Sequence, residues 1–188
     1  MDTNKYPKVL IISHNVLGLT KNMGRFLHDT FIGWPTDKLG QIYIYSEDPT
    51  TDLCKNYFRI TDFDIINSII RRKKPGKKIV FNEINNGCSK VNENHNKIYN
   101  KGRKRTVWTY IVRNAIWRLG TWKTKELLLW IESFSPDVIY FASGDYVFLY
   151  RIVQYIANRY NIPVFTAIYD DYYFSSKSKG LFTWLKNT

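Results

Sequence analysis

The sequence has little cysteine and no long apolar run, and both absences narrow the class of protein. Its 188 residues include only two cysteines, Cys54 and Cys88, whose spacing does not match a metal site. Reduced thiols of this kind are typical of a cytoplasmic protein. No apolar run approaches the roughly 18 residues that a membrane span needs, and the first residues lack the basic start and apolar stretch of a signal peptide. We therefore expect a cytoplasmic protein.

Phosphate-binding and nucleophile motifs are also missing. The chain contains neither a G-x-G-x-x-G nor a Walker A loop, which argues against dinucleotide-binding and P-loop NTPase functions. No Ser/His/Asp or Cys/His set stands out, no set of His, Asp and Glu indicates a metal, and we predict no cofactor. What the chain does have is enough apolar residues, 44% of the total, for one sizeable core. We expect residues 1–188 to form a single domain.

Positive charge is abundant but concentrated in one segment. The chain has a formal net charge of +12, and residues 71–105, with 12 Lys or Arg and two acids, carry +10 of it. This segment has little periodicity and seven asparagines, so we predict a mobile insertion. A basic nucleic-acid binder is an alternative, but no known nucleic-acid-binding module is visible, and we expect no nucleic-acid partner.

Strand-sized apolar runs alternate with helical patterns along the rest of the chain. We predict strands at 8–13, 41–45, 137–142 and 163–169, and a helix that begins near Asp62 behind a capping-box pattern at Thr61–Asp64. This alternation predicts an α/β fold, a Rossmann-like parallel sheet with helices on both faces. Ligands of such sheets bind at the carboxyl ends of the strands.

The residues that follow three predicted strands are therefore the candidate site. We expect substrate contacts from the loop after the first strand and from the turns after the strands that end at residues 142 and 169. The substrate-binding candidates are Ser13, His14, Asn15, Asn22, Gly24, Arg25, Ser143, Gly144, Asp171 and Tyr172.

Two carboxylates, Asp145 and Asp170, are the catalytic candidates. Asp145 could position a substrate hydroxyl or act in proton transfer, and Asp170, at the carboxyl end of a strand, suits binding of a sugar hydroxyl. Each has a purely structural alternative. Asp145 would serve as the N-cap of a helix that starts at Tyr146, and Asp170 would be a solvated turn residue. His14 would likewise be a hydrogen-bonded loop histidine, and Gly24 a packing residue in a connecting turn.

A stretch rich in tryptophan and arginine follows Thr106. Such a segment suits an anionic bilayer surface, and a helix packed on the core with its arginines in water is the alternative. We predict membrane contacts for Arg71, Arg72, Lys73, Lys74, Lys77, Lys78, Arg105 and Trp108.

Several of these segments, in this order, resemble the N-terminal domain of GT4-like bacterial glycosyltransferases of the GT-B fold. The matching segments are Val9–Ser13, Asn22–Arg25, Cys54–Asp62, Pro136–Asp145 and Ile162–Asp171. Many members have a histidine, and then a His-Asp pair, after the last two of the corresponding strands. This chain has Ser143-Gly144-Asp145 and Tyr169-Asp170 at those places.

The resemblance implies the acceptor-binding half of an enzyme that transfers a sugar, with retention, from a nucleotide-sugar to a polysaccharide or lipid-linked acceptor. The donor would be bound mainly by a C-terminal domain that this chain lacks, so the chain would be a truncated protein or one subunit of a split transferase, inactive alone. An acceptor-side or membrane-docking subunit without catalytic residues is the alternative. Either protein would lie at the inner face of the cell membrane.

Overall fold

The computed structural model describes residues 6–20, 22–80 and 107–169, with Asn22 and Val107 described by their backbone only. The strands are β1 (Val9–Ser13), β2 (Leu39–Tyr43), β3 (Asn56–Arg59), β4 (Lys77–Ile79), β5 (Val138–Ala142) and β6 (Val164–Ala167). The α-helices are α1 (Asn22–Phe31), α2 (Asp62–Ile70), α3 (Val107–Leu119), α4 (Lys125–Phe134) and α5 (Val147–Tyr160). A short 3-10 helix, Thr36–Lys38, precedes β2.

The six strands form one sheet in the order β4-β3-β2-β1-β5-β6. All neighbours are parallel except β3 and β4, which are antiparallel. Helix α1 packs on one face of the sheet and helices α2 to α5 contribute to the core on the other. The prediction of a Rossmann-like α/β fold is confirmed.

Complete burial explains why β1 and β2 are strands without polar alternation. Every residue of both is buried, as in a parallel sheet covered on both faces. Alternate residues of β1 enter opposite cores: Leu10 and Ile12 face the helices α2 to α5, whereas Val9 and Ile11 face α1. The central strand is therefore anchored from both sides, which fixes where its carboxyl end emerges.

Local capping sets the bounds of the helices that flank the sheet. Thr61 caps α2 by accepting a hydrogen bond from the Asp64 amide, while the Asp64 carboxylate accepts one from the Thr61 amide, which confirms the predicted helix start. Thr124 caps α4. The C-cap residues that follow α4 and α5, Ser135 and Asn161, are both in the left-handed conformation.

Two strands differ from the sequence prediction. We made no strand prediction for β3, and β4 lies inside the segment 71–105 that we predicted to be an irregular insertion. Both lysines of β4 are exposed and only Ile79 is buried, so the strand has no apolar pattern. Backbone pairing with Tyr57–Arg59 is what orders it. Residues 81–106 lie outside the described part of the chain.

The helix α3 also differs from the expected arrangement. Trp117 and Tyr110 are buried in the core, as the core-packed alternative predicts. Arg113, however, is 5% exposed, so the expectation that the arginines face water is wrong for this one. Within residues 6–20, 22–80 and 107–169, no helix has the length and apolarity that crossing a membrane requires.

Candidate functional site

The strand order reverses direction at β1, so the carboxyl ends of β1 and β5 form the switch point of the sheet, a position that we call the crevice. Strand β1 pairs with β2 on one side and with β5 on the other, so the loops that follow β1 and β5 leave the sheet on opposite faces. Such a point is the usual ligand position in an open parallel sheet. We call the residues around it, His14, Tyr45 and Gly144–Tyr146, the rim.

A buried glutamine shapes the loop after β1. The Gln41 amide nitrogen donates to Ser13 Oγ at 2.8 Å and to the Asn15 carbonyl at 3.0 Å, and its oxygen accepts from the Leu17 amide at 2.8 Å. The Ser13 hydroxyl in turn donates to the Asn15 carbonyl at 2.7 Å. Ser13, a predicted substrate-binding residue, is fully buried, and its hydroxyl forms hydrogen bonds within the loop. Gln41 is a residue that our sequence analysis missed.

Gly24 lies in the first turn of α1, where its α-carbon approaches the same loop. A Cβ at this position would be 2.5 Å from the Val16 carbonyl oxygen, and the Gly18 amide donates to the Gly24 carbonyl at 3.2 Å. The group that approaches Gly24 is therefore the protein's own backbone. Arg25, next to it, is exposed, and Asn22 is the first residue of α1.

His14 and Gly144 bring the two sides of the crevice into contact. A Cβ at Gly144 would be 2.5 Å from Cε1 and 2.7 Å from Nδ1 of the His14 ring. The ring also lies beside Tyr45 and Tyr146, with centroid distances of 5.6 and 5.4 Å. The His14 carbonyl accepts from the amides of Ile44 and Tyr45, which ties the end of β1 to the end of β2.

Asp145 is at the centre of the rim and does not cap a helix. Helix α5 begins at Val147, and its N-cap residue is Tyr146, which makes no side-chain capping hydrogen bond. The alternative that Asp145 caps a helix starting at Tyr146 is therefore wrong. Asp145 is half-buried, whereas Ser143 is buried and donates to the Ala167 carbonyl at 2.9 Å, a contact that joins β5 to β6.

An arginine from α3 packs beneath the rim. The Arg113 guanidinium carbon lies 4.2 Å from the centroid of the Tyr146 ring and 5.7 Å from that of Tyr45. Its Nε donates to the Asp62 carboxylate at 2.9 Å. Burial is the strongest single influence and acts to lower the pKa of Arg113, but the Asp62 carboxylate and the Tyr45 and Tyr146 hydroxyls together outweigh it and raise this pKa, so the arginine stays charged. For the Tyr45 hydroxyl, burial raises the pKa and Arg113 opposes the rise.

The carboxyl end of β6 lies at the same edge of the sheet as those of β1 and β5. Tyr169, two residues after β6 ends, packs edge-on against Phe26 of α1 with a centroid distance of 4.5 Å. Its hydroxyl is hydrogen-bonded to that of Tyr140. The predicted residues Asp170, Asp171 and Tyr172 lie outside the described part of the chain.

The loop residue Asn15 is half-buried, and its amide is 3.4 Å from the Glu47 carboxylate. The structure therefore brings His14, Asn15, Gly144 and Asp145 to one edge of the sheet. Three other predicted residues, Ser13, Gly24 and Ser143, shape this edge through internal contacts. In the described ranges, no group of three or more His, Cys, Asp or Glu residues has a metal-binding arrangement.

No protein family, curated protein or solved structure matches this chain in the three comparisons that we made.

The predicted membrane-contact residues that the structure describes are exposed. Arg71, Arg72, Lys73, Lys74, Lys77 and Lys78 are all exposed, as is Trp108, which has 76% of its surface accessible. Lys74 forms an ion pair with Glu126 at 2.9 Å. Arg105 lies outside the described residues.

Proposed function

We propose that this domain is the acceptor-binding half of a GT-B-type glycosyltransferase. The observation that supports the proposal best is the meeting of His14 with Gly144 at the strand-order reversal, with the Asp145 carboxylate beside them. A half-buried carboxylate that does not cap a helix is suited to accept hydrogen bonds from sugar hydroxyls, because a charged acceptor forms stronger hydrogen bonds than a neutral one.

The chemistry divides between two domains. This domain would hold the acceptor so that one hydroxyl points across the crevice, and Asp145 would orient that hydroxyl or accept its proton. Contacts to the leaving diphosphate, which stabilise charge in the transition state, would come mainly from a donor-binding domain. Asp170 remains a prediction as the second catalytic carboxylate.

The aromatic environment supports a sugar as the ligand. Tyr45 and Tyr146 flank His14, and Phe26 and Tyr169 lie farther along the same edge of the sheet. Aromatic faces pack well against the C–H groups of a sugar, while neighbouring polar atoms set its orientation. Phe26 is 49% exposed and offers an aromatic surface at this edge, and the half-buried Asn15 and Asp145 offer polar atoms.

Binding of simple glycosides to the complete chain tests this proposal. Methyl glycosides of glucose, galactose, mannose and N-acetylglucosamine serve as probes in isothermal titration or saturation-transfer NMR. We expect Asp145→Asn to weaken binding of the preferred glycoside by about tenfold or more, because a charged hydrogen bond is lost. Asp145→Asn should leave the unfolding free energy unchanged within about 0.5 kcal/mol, since this side chain does not cap α5.

Asp37→Asn is the matched control, because Asp37 is an exposed carboxylate that precedes β2, at the opposite edge of the sheet. It should bind glycosides as the wild type does. Absence of binding for every glycoside, or equal loss in both variants, would contradict the proposal.

A further inference from the structure

The outward face of α3 is apolar along its whole length. Trp108, Ile111, Val112 and Leu119 are 76, 38, 51 and 73% exposed. With exposed Ala115 they follow the spacing of one helical stripe. The opposite face of the helix already packs on the core through Tyr110, Arg113 and Trp117. A surface helix normally places polar residues on its outer face, so this helix has a second apolar face beyond the one that folding buries.

The end of α2 extends this apolar surface. Asp62, at the start of α2, contacts Arg113 and Trp117, and a Cβ on Gly120 would touch Ile65 and Ser68, so α2 runs alongside α3 in the same direction. Its last residues, Ile69 and Ile70, are 44 and 73% exposed and lie toward the Leu119 end of α3.

Basic residues continue from this end of the surface. Exposed Arg71, Arg72 and Lys73 follow Ile70 directly, and exposed Arg118 adjoins Leu119. A surface that combines exposed Trp, Ile and Leu side chains with adjoining Lys and Arg is complementary to an anionic bilayer, which takes apolar side chains into its interface and attracts cations to its headgroups.

We infer that the outer face of α3, together with the end of α2, is a docking surface for anionic lipid membranes. The helix lies in the plane of the interface, with Trp108, Ile111, Val112 and Leu119 inserted among the acyl chains and Arg71–Lys73 and Arg118 at the headgroups. This surface is the face of α3 opposite to Tyr110 and Arg113, which contact Tyr146 of the rim, and the inference does not rest on sugar transfer.

Co-sedimentation of the complete chain with lipid vesicles tests the inference. The vesicles are phosphatidylcholine alone or phosphatidylcholine mixed with phosphatidylglycerol, and we expect strong binding only to the mixed vesicles. Leu119→Glu should weaken that binding by about tenfold or more, since it removes an inserted side chain and adds a repelled charge. Leu129→Glu is the matched control, because Leu129 is a 52% exposed leucine on α4, and it should bind normally.

Two sets of cation substitutions test whether the basic residues beside the apolar face, and not the net charge alone, are needed for vesicle binding. Replacing Arg71, Arg72 and Lys73 together by glutamine should weaken binding on the order of a hundredfold. Replacing three exposed cations elsewhere, Lys55, Arg151 and Arg159, changes the net charge equally and should have a much smaller effect. Brominated lipids should quench the fluorescence of the wild type more than that of Trp108→Phe.

Three results would overturn the inference. The first is equal vesicle binding by wild type and Leu119→Glu, and the second is equal loss in both charge triples. The third is a lipid-free dimer, detected by sedimentation velocity, that Leu119→Glu abolishes, because a second copy of the chain would then cover this face.

Discussion

At the scale of single residues, two glycines decide how closely the crevice is packed. Gly24 admits the Val16 carbonyl, and Gly144 admits the His14 ring, each to a distance that a Cβ would forbid. The sequence marked both residues as functional candidates, but spacing alone could not distinguish a ligand from the protein's own backbone or side chain as the approaching group. The structure makes that distinction.

Gly144→Ala should destabilise the protein by about 1–3 kcal/mol, because the new methyl group overlaps the His14 ring, which is itself held among Tyr45 and Tyr146. His14→Ala should remove most of that penalty. The double-mutant cycle, measured by urea unfolding, should therefore give a coupling free energy of about 1 kcal/mol or more. Additive effects of the two substitutions would show that His14 and Gly144 do not touch.

The buried Cys54 thiol should make the free energy of unfolding depend on pH in the alkaline range. Burial raises the pKa of this thiol from 9.0 to about 12. Between the two pKa values the unfolded chain releases the thiol proton and the folded chain keeps it. The contribution of this group to the free energy of unfolding is therefore fully present below about pH 9 and falls as the pH rises toward the folded pKa. The slope should be up to about 1.4 kcal/mol per pH unit for this one group.

Denaturant titrations of wild type and Cys54→Ala between about pH 8 and 9.5 measure this slope, in a range that lies below the ordinary tyrosine pKa of about 10. The variant should lack the part of the slope that Cys54 contributes. Cys88 is present in both proteins and cancels in the comparison. Identical slopes would mean that the Cys54 thiol is not shielded from water.

At the scale of secondary-structure elements, the pair Arg113–Asp62 joins α3 to α2 underneath the rim. Asp62 also accepts a hydrogen bond from the Trp117 indole nitrogen at 2.6 Å. The Arg113 and Asp62 side chains are 5 and 17% exposed. From the sequence we predicted a helix start near Asp62, and a core-packed helix was the alternative for the basic, aromatic stretch that contains Arg113. Nothing in either segment indicated that the two residues meet, since they lie 51 positions apart.

Asp62→Asn should cost about 3 kcal/mol of unfolding free energy, because it leaves the Arg113 charge buried without its counter-ion. The substitution keeps an oxygen that can accept from Trp117. The exposed pair Lys74–Glu126 provides the contrast: Glu126→Gln should cause no measurable change, since solvent screens this pair. Equal effects of the two substitutions, measured by thermal and urea unfolding, would refute the view that Arg113–Asp62 is a buried clamp.

The elements that the sequence predicted well are those whose pattern is local. Strand β1 is a continuous apolar run, and α2 begins at a capping box, so both could be predicted from neighbouring residues. The strands β3 and β4 are short, and β4 exposes two lysines. These two strands are stabilised by backbone pairing with strands elsewhere in the chain, which a local pattern does not reveal. Asp145 failed as a cap because α5 begins one residue later than predicted, so that Tyr146 is the N-cap residue and no side chain caps the helix.

At the scale of the whole molecule, the exposed apolar stripe lies on the face of α3 opposite to the residues that contact the rim. The predicted basic segment begins at the end of α2, beside the apolar face of α3, while the rim lies over the carboxyl ends of β1 and β5. An acceptor-binding crevice and a lipid-binding face on separate surfaces would allow one domain to rest on a membrane while its crevice stays open to a sugar.

The two components of the docking surface predict a graded response to salt. A tenfold rise in sodium chloride should weaken binding to anionic vesicles without abolishing it, because salt screens the headgroup attraction and leaves the insertion of Trp108 and Leu119 unaffected. In Leu119→Glu the remaining binding should disappear at the higher salt concentration. Complete loss of wild-type binding at high salt would indicate a purely electrostatic contact, as a basic nucleic-acid binder would make.

The central claim, that the crevice between β1 and β5 binds the acceptor sugar, is tested most directly by mapping where a glycoside binds. Backbone amide resonances of the isotope-labelled chain are followed by NMR while the preferred methyl glycoside is added. The account predicts that the largest shifts fall on His14, Asn15, Gly144, Asp145 and Tyr146. Shifts confined to α5, to β4 or to the outer face of α3, with the amides of the rim unmoved, would contradict it.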